Sequence, residues 1–306
     1  MTINTDHLHE SLTNIIHQSK EERIRFLDND IWINHHISNE ILQLLNKLLH
    51  QPKKQRMQSL LIIAEPNMGK SSLIAQFSLL HPNTTIEDDE GMSSAHCPVL
   101  LIDAPTTADE KGLFIAILEQ MWAPFRPNDT PAKLKHQAKH ILRECNVRMI
   151  IIDEIHNLLS TTPVKQRQIM NTLKTTLSNE LKIPIVGVGT SDAAIILTND
   201  PQHASRFDTV VIPKWGMDKN FRGLLAAFEK RFPLKKPSNL ASKDKAPLLL
   251  AFSGGNIGDL HRLLKECCAY AIEHDIEEIT VDIINKFKWV KPTNTRLSRQ
   301  IVFDNA

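Results

Sequence analysis

The chain has 306 residues, which suits one large domain or two unequal ones. Hydrophobic residues make up 42% and charged residues 23%, a balance that excludes a disordered chain, and 36 Lys+Arg against 35 Asp+Glu leave +1, so bulk charge does not announce a nucleic-acid binder. No apolar run approaches the ~20 residues of a bilayer span, the first 20 residues lack an apolar signal core, and four cysteines, two adjacent and two isolated, suggest neither a disulfide framework nor a zinc knuckle, so a reducing, cytoplasmic setting and no membrane partner are expected.

In chain order, residues 1–55 read as a polar, helical N-terminal segment. Ser38-Asn39-Glu40 precedes Ile41-Leu42, Leu44-Leu45 and Leu48-Leu49, which predicts a helix to about His50. Leu60 to Ala64 is a short continuous apolar run, the pattern of a strand buried on both faces. Three similar runs follow, Val99 to Ile102, Met149 to Ile152 and Ile185 to Val188, with Val210 to Ile212 as a weaker fifth. Helical patterns separate them: Ser71–Leu80, Gly112–Trp122, Pro131–Glu144 and Lys165–Leu181. This alternation predicts an α/β domain with a mostly parallel, Rossmann-like sheet over residues 56–214. From Trp215 the strand runs cease. Phe221–Phe232, Ala246–Phe252, Ile257–His274 and Val281–Phe287 predict a small all-α domain over 215–290, followed by a polar tail, 291–306.

The first strand leads into Ala64-Glu65-Pro66-Asn67-Met68-Gly69-Lys70-Ser71-Ser72, the spacing of a P-loop with Ala in place of the first Gly. Such a loop turns successive N–H groups toward one phosphate, and the helix that follows adds the positive end of its dipole. Lys70 would reach the β- and γ-phosphates of ATP, and the Ser71 hydroxyl would ligate Mg²⁺. Met149 to Ile152 ends in Asp153-Glu154, which sets two carboxylates at the carboxyl edge of the sheet, where ligands of open α/β sheets bind. Asp153 would hold the Mg²⁺ shell, and Glu154 would be the general base toward water.

Thr190 follows the strand Ile185–Val188 and admits two readings, a hydroxyl near the γ-phosphate or a helix N-cap. Arg206, in Ser205-Arg206-Phe207, reads on local sequence as a surface Arg beside Asp208, or as a residue acting in trans on a neighbouring subunit's nucleotide. His7, His9, His35 and His36 lack acidic or Cys partners at metal-ligand spacing. The lysine-rich stretch Lys230–Lys245 reads as a solvated face.

P-loop, Asp-Glu strand, Thr-ended strand, Ser-Arg-Phe and a helical lid are the order of AAA+ ATPases. More narrowly, Met57–Met68 (MQSLLIIAEPNM), Ile151–Asn157 (IIDEIHN), Gly187–Thr190, Gln202–Phe207 (QHASRF) and Gly254–Leu260 (GGNIGDL) resemble the TniB/TnsC group of transposition ATPases, over roughly residues 20–290. That resemblance implies an AAA+ P-loop NTPase that binds and hydrolyses ATP with Mg²⁺ and assembles with copies of itself, as a ring or helical filament, on duplex DNA. It also implies that such an oligomer links target-site selection, through a TniQ-like adaptor, to a DDE transposase. It assigns hydrolysis to Glu154, Thr190 and Arg206, with Arg206 as the finger at the subunit interface. Many AAA+ lids carry an Arg in a Gly-x-x-Arg pattern; Gly258 stands there in this chain, and Arg262 lies one helical turn later. Contacts to DNA, if made on the pore side, fall to Lys111, Thr130 and Lys133, whose alternative is ordinary surface polarity. A helicase loader or origin-type initiator, and a signalling NTPase of the NACHT/STAND type, are the alternative functions.

Overall fold

The computed structural model describes residues 6–87, 93–198 and 207–287. Contacts divide the chain into two compact units, one holding Glu40–Glu65 and Lys70–Ile212, the other holding the N-terminal residues to Asn39, Pro66–Gly69 and the residues from Pro213 on.

The first unit is built on five parallel strands in the order β4-β5-β6-β1-β7: β1 (Ser59–Ile63), β4 (Val99–Asp103), β5 (Met149–Asp153), β6 (Ile185–Gly189) and β7 (Phe207–Val211). Every residue of β1, β5 and β6 is buried, as the continuous apolar runs require of strands covered on both faces. The edge strand β7 is more exposed, and it begins and ends earlier than its apolar residues suggest. Pairing from Ser59↔Phe207 to Ile63↔Val211 sets its limits. Around the sheet lie α2 (His36–Leu49), α3 (Lys70–Leu80), α4 (Glu110–Gln120), α5 (Pro131–Glu144), α6 (Ile155–Leu159), α7 (Pro163–Asn171) and α8 (Ser191–Thr198). Asp109 caps α4 through the Gly112 N–H, and Thr130 caps α5, whose first residue is Pro131. Phe114, Ile117, Leu118, Leu134, Leu158 and Leu177 pack on Ile150 and Ile152 to form the core.

Two features depart from the sequence expectation. The helix expected over Lys165–Leu181 is α7 followed by a π-helical stretch, Thr172–Glu180. The Thr175 hydroxyl donates to the Asn171 carbonyl at 2.6 Å, and the Leu181 N–H donates to Thr176 O, five residues back. An antiparallel hairpin, β2 (Thr84–Glu87) with β3 (Ser93–His96), stands where no element was expected. The residues of β2 are exposed and carry no apolar alternation, so hydropathy could not reveal it.

The second unit is helical: α1 (Lys20–Phe26), α9 (Lys219–Glu229), α10 (Lys245–Ser253), α11 (Ile257–Glu273) and α12 (Val281–Lys286). A capping box between Ser19 and Glu22 starts α1, Asp218 caps α9 and Thr280 caps α12. The sequence reading set residues 1–55 apart. In the structure the N-terminal residues to Asn39 pack with the C-terminal helices, and the reason is electrostatic as well as apolar. Arg23, 1% exposed, donates to Glu277 through both terminal nitrogens (2.8 and 2.5 Å) and to the Pro233 carbonyl. Burial pushes the Glu277 carboxyl up, but hydrogen bonds from Arg23 and the Lys235 N–H outweigh it and hold the group below the ordinary carboxylate range. Lys20–Asp275 and Lys265–Asp28 are further ion pairs at the surface. Among the described residues, no helix is long and apolar enough to cross a membrane.

Removing one partner of a buried ion pair strands the other charge. Glu277→Ala should therefore cost about 3–5 kcal/mol in urea unfolding, whereas replacing both Arg23 and Glu277 by apolar residues should cost far less. Because the Glu277 pKa is lowered by folding, its contribution should be full above the unfolded carboxyl pKa and fade as the pH falls through the folded value. Urea titrations across acidic pH measure both.

Candidate active site

β6 lies between β1 and β5, and all three run parallel, so the loops after them open on one edge of the sheet. Gly187 in β6 makes the close packing possible: a Cβ there would fall 2.7 Å from Ile155 Cδ1 and 3.2 Å from Leu61 Cδ1.

The loop after β1 runs from Ala64 to Gly69. Its left-handed residues are Asn67 (φ 64°) and Gly69 (φ 78°). Ala64 is not among the positive-φ residues, so the loop does not need glycine at its first position. Glu65, Pro66 and Asn67 are exposed, whereas Met68 is buried. Residues 66–69 pack with the helical unit. Within that unit, the Gly258 N–H donates to Asn67 O (3.0 Å), Asn67 Nδ2 to Asp259 Oδ1 (3.0 Å), and Asn256 Nδ2 to Pro66 O (2.8 Å). Asn256 also caps α11, and Asp259 is 1% exposed. A Cβ at position 258 would fall 2.1 Å from Asn67 Oδ1, so the position is closed to any side chain while Asn67 keeps its place. Arg262 lies further along α11, half-buried.

Lys70 opens α3 and is 6% exposed. Its ammonium donates to the carbonyls of Ala64 (3.2 Å) and Glu65 (3.0 Å), and no carboxylate among the described residues pairs with it. A buried cation so held is matched to an anion. The next residue, Ser71, donates its hydroxyl to Asp153 Oδ2 at 2.6 Å, across the end of β6. Asp153, 5% exposed, also accepts from the Glu154 N–H at 2.8 Å. A hydroxyl and a buried carboxylate in direct contact are the hard-oxygen donor set that Mg²⁺ takes. Ser72 is exposed on the first turn of α3.

Glu154 departs from regular geometry. It stands at the N-cap of α6 in the left-handed region (φ 50°, ψ 39°), with no capping bond from its side chain. For a residue with a Cβ this conformation costs energy, and such outliers gather at functional sites. Its Oε2 is buried and without a hydrogen-bond partner, and so are Thr190 Oγ1 and His156 Nδ1. Thr190 thus does not spend its hydroxyl on capping α8, the local alternative for it. The three atoms sit on the segments that leave β5 and β6 on the same edge. Asp103, which the sequence reading passed over, ends β4 in register with Asp153. The sequence signal for it, an acidic residue closing an apolar strand, is the one that marked Asp153.

The remaining candidates lie elsewhere. Lys111 is half-buried on the first turn of α4. Thr130 spends its hydroxyl on the Lys133 N–H, and Lys133 Nζ pairs with Asp129 at 2.9 Å. An ion pair between Lys135 and Glu110 (3.5 Å) ties the first turns of α4 and α5 together, so the three residues share one region. Arg206 lies outside the described residues, as does the tail 291–306. His35 packs edge-on against Trp215, and burial pushes its pKa down to about 4. No group of three or more His, Cys, Asp or Glu side chains that could hold a metal occurs among the described residues.

Among solved structures, the chain is similar to the ORC2 protein of Aeropyrum pernix in its ADPNP–ADP complexes (16% identity, covering 87% of this chain and 71% of that one, TM-score 0.58). It is also similar to Cdc6p of Pyrobaculum aerophilum (15%, 86% and 69%, TM-score 0.59) and to the ORC1 protein of Aeropyrum pernix in complex with DNA (17%, 89% and 70%, TM-score 0.57). At these identities the likeness is one of fold, and that fold is the AAA+ P-loop fold. No curated protein matches the sequence. The family described as bacterial TniB protein matches residues 23–217, more than half of the chain. The chain belongs to that family.

Proposed function

We propose that this TniB-family AAA+ protein binds and hydrolyses ATP, assembles with copies of itself on duplex DNA, and regulates transposition by linking target-site selection to a DDE transposase. The observation that carries the reading is the contact of Ser71 with Asp153 on the sheet edge that also holds Glu154 Oε2 and Thr190 Oγ1, two buried oxygens that make no hydrogen bond. Membership of the TniB family supports the transposition role, and a TniQ-like adaptor is the partner that the same reading implies.

In this mechanism the Lys70 ammonium binds the phosphates, and the start of α3 adds its dipole. Ser71 and Asp153 would hold Mg²⁺, which when bound neutralises phosphate charge. Glu154 takes a proton from water as the oxygen attacks the γ-phosphorus; the bond to the β-phosphate oxygen breaks, and ADP and phosphate leave. Thr190 Oγ1 orients the water. Arg206 of a neighbouring copy stabilises charge on the transferred group, so hydrolysis depends on assembly. Lys111, Thr130 and Lys133 would touch DNA phosphates. A helicase loader or origin-type initiator is the second reading, which the fold likeness to ORC and Cdc6 proteins favours; co-purification of a replicative helicase would select it.

Glu154→Gln should keep ATP binding and lower hydrolysis ~10²–10⁴-fold, because an amide cannot accept the proton. Lys70→Ala should weaken ATP binding about tenfold to a hundredfold. Fluorescent-nucleotide titration and phosphate release separate the two effects. A Glu154→Gln protein with the wild-type rate would remove the base assignment.

Arg206→Ala should leave the monomer folded and able to bind ATP, yet slow in the assembled state. Mixed with Lys70→Ala it should regain activity, since each chain completes a site that the other lacks. A mixture no more active than its parts would end the shared-site reading.

Binding to duplex DNA should need ATP and rise with protein concentration, because a chain of charge +1 neutralises few phosphates and assembly multiplies the contacts. Raising salt from about 50 to about 200 mM should weaken it steeply. Lys111→Glu or Lys133→Glu should reduce DNA binding and spare ATP binding. Fluorescence anisotropy reads the affinity and electron microscopy the assemblies; ATP-independent binding by a monomer would overturn the model.

A further inference from the structure

His156 has no role in the mechanism above, although its ring faces the side chain of the proposed base. Its Nδ1 lies 3.0 Å from Glu154 Oε2, both atoms are buried, and neither makes an aligned hydrogen bond. The distance suits a hydrogen bond. Residues two apart on a helix do not face one another. Here they meet because Glu154 is left-handed (φ 50°), which turns its side chain back over the first residues of α6. The imidazole lies close to the end of β6: even a Cβ built on Gly189, one residue before Thr190, would stand 3.6 Å from Nδ1, in ordinary van der Waals contact.

We propose that His156 is a positioning residue for hydrolysis. With its proton on Nδ1 it donates to Glu154 Oε2, fixes one carboxylate oxygen, and leaves the other to take the proton of the attacking water. A carboxylate whose side chain is 43% exposed would otherwise lose orientation among its rotamers. The left-handed backbone sets the direction in which the side chain leaves the chain, and His156 sets its tip.

This inference rests on Glu154 as the base, and the test distinguishes failure of the two. Asn at 156 places an amide nitrogen near the position of Nδ1, whereas Gln carries its nitrogen further out, near that of Nε2. In steady-state phosphate release with ATP and duplex DNA, His156→Gln and His156→Leu should lower kcat about tenfold or more, with KM for ATP and fluorescent-nucleotide affinity unchanged. His156→Asn should retain most of kcat. Added to Glu154→Gln, His156→Gln should cost nothing further, because the two residues act through one group. Equal losses in Asn and Gln variants, an unchanged or raised kcat in His156→Gln, or a further loss in the double variant would each overturn the proposal. Wild-type hydrolysis by Glu154→Gln would instead overturn the reading of the base.

Discussion

The site is organised around a buried ammonium. Lys70 is 6% exposed and is held by two carbonyl oxygens, a neutral cradle for a full positive charge. Keeping a cation there requires strong constraint of the loop and a good reason to leave the counter-charge to a ligand. The constraint comes from β1, buried along its whole length, and from two left-handed residues, Asn67 and Gly69, that turn the chain between strand and helix. The ammonium belongs to the first residue of α3, so a helix start accompanies it. Phosphate is the chemistry to which that combination is complementary.

Two neighbouring carboxylates are held in different ways, and this separates their chemistry. Asp153 is buried and held at both oxygens by the Ser71 hydroxyl and the Glu154 N–H, which fixes it in one place and leaves lone pairs free. Glu154, one residue on, carries the backbone strain of a left-handed N-cap and keeps a buried oxygen that makes no aligned hydrogen bond. The first arrangement suits an ion holder and the second suits a group that exchanges a proton. Parallel strands bring both to one edge with Thr190, so a chain separation of many residues becomes a short distance.

The helical unit has its own anchor in the pair of Arg23 and Glu277. Its other polar cluster, Asn256 and Asp259, grips the loop through the Pro66 carbonyl and the Asn67 side chain. Gly258 belongs to that cluster because its backbone comes so close to Asn67 that a side chain would collide. A glycine that breaks the Gly-x-x-Arg pattern is thus explained by packing.

Sequence alone determined the layered α/β core, since fully buried parallel strands must be written as continuous apolar runs, and Leu60–Ala64, Val99–Ile102, Met149–Ile152 and Ile185–Val188 are such runs. It also determined the loop and the Asp-Glu strand end, because both are local in the chain. The exposed hairpin β2–β3 was not legible, as its ladder hydrogen bonds need no apolar pattern. Nor was the π-helical stretch, in which the Thr175 hydroxyl bonds the Asn171 carbonyl, since it shares the apolar spacing of an ordinary helix. Only the tertiary structure decided that Arg23 belongs with Glu277, that Asn67 is gripped by Asp259, and that His156 meets Glu154. The first two join residues far apart in sequence, and the third depends on a left-handed φ that no propensity assigns to glutamate. Contacts set by chain folding and by strained dihedrals leave no periodic signal, whereas burial on both faces of a strand leaves one at every residue.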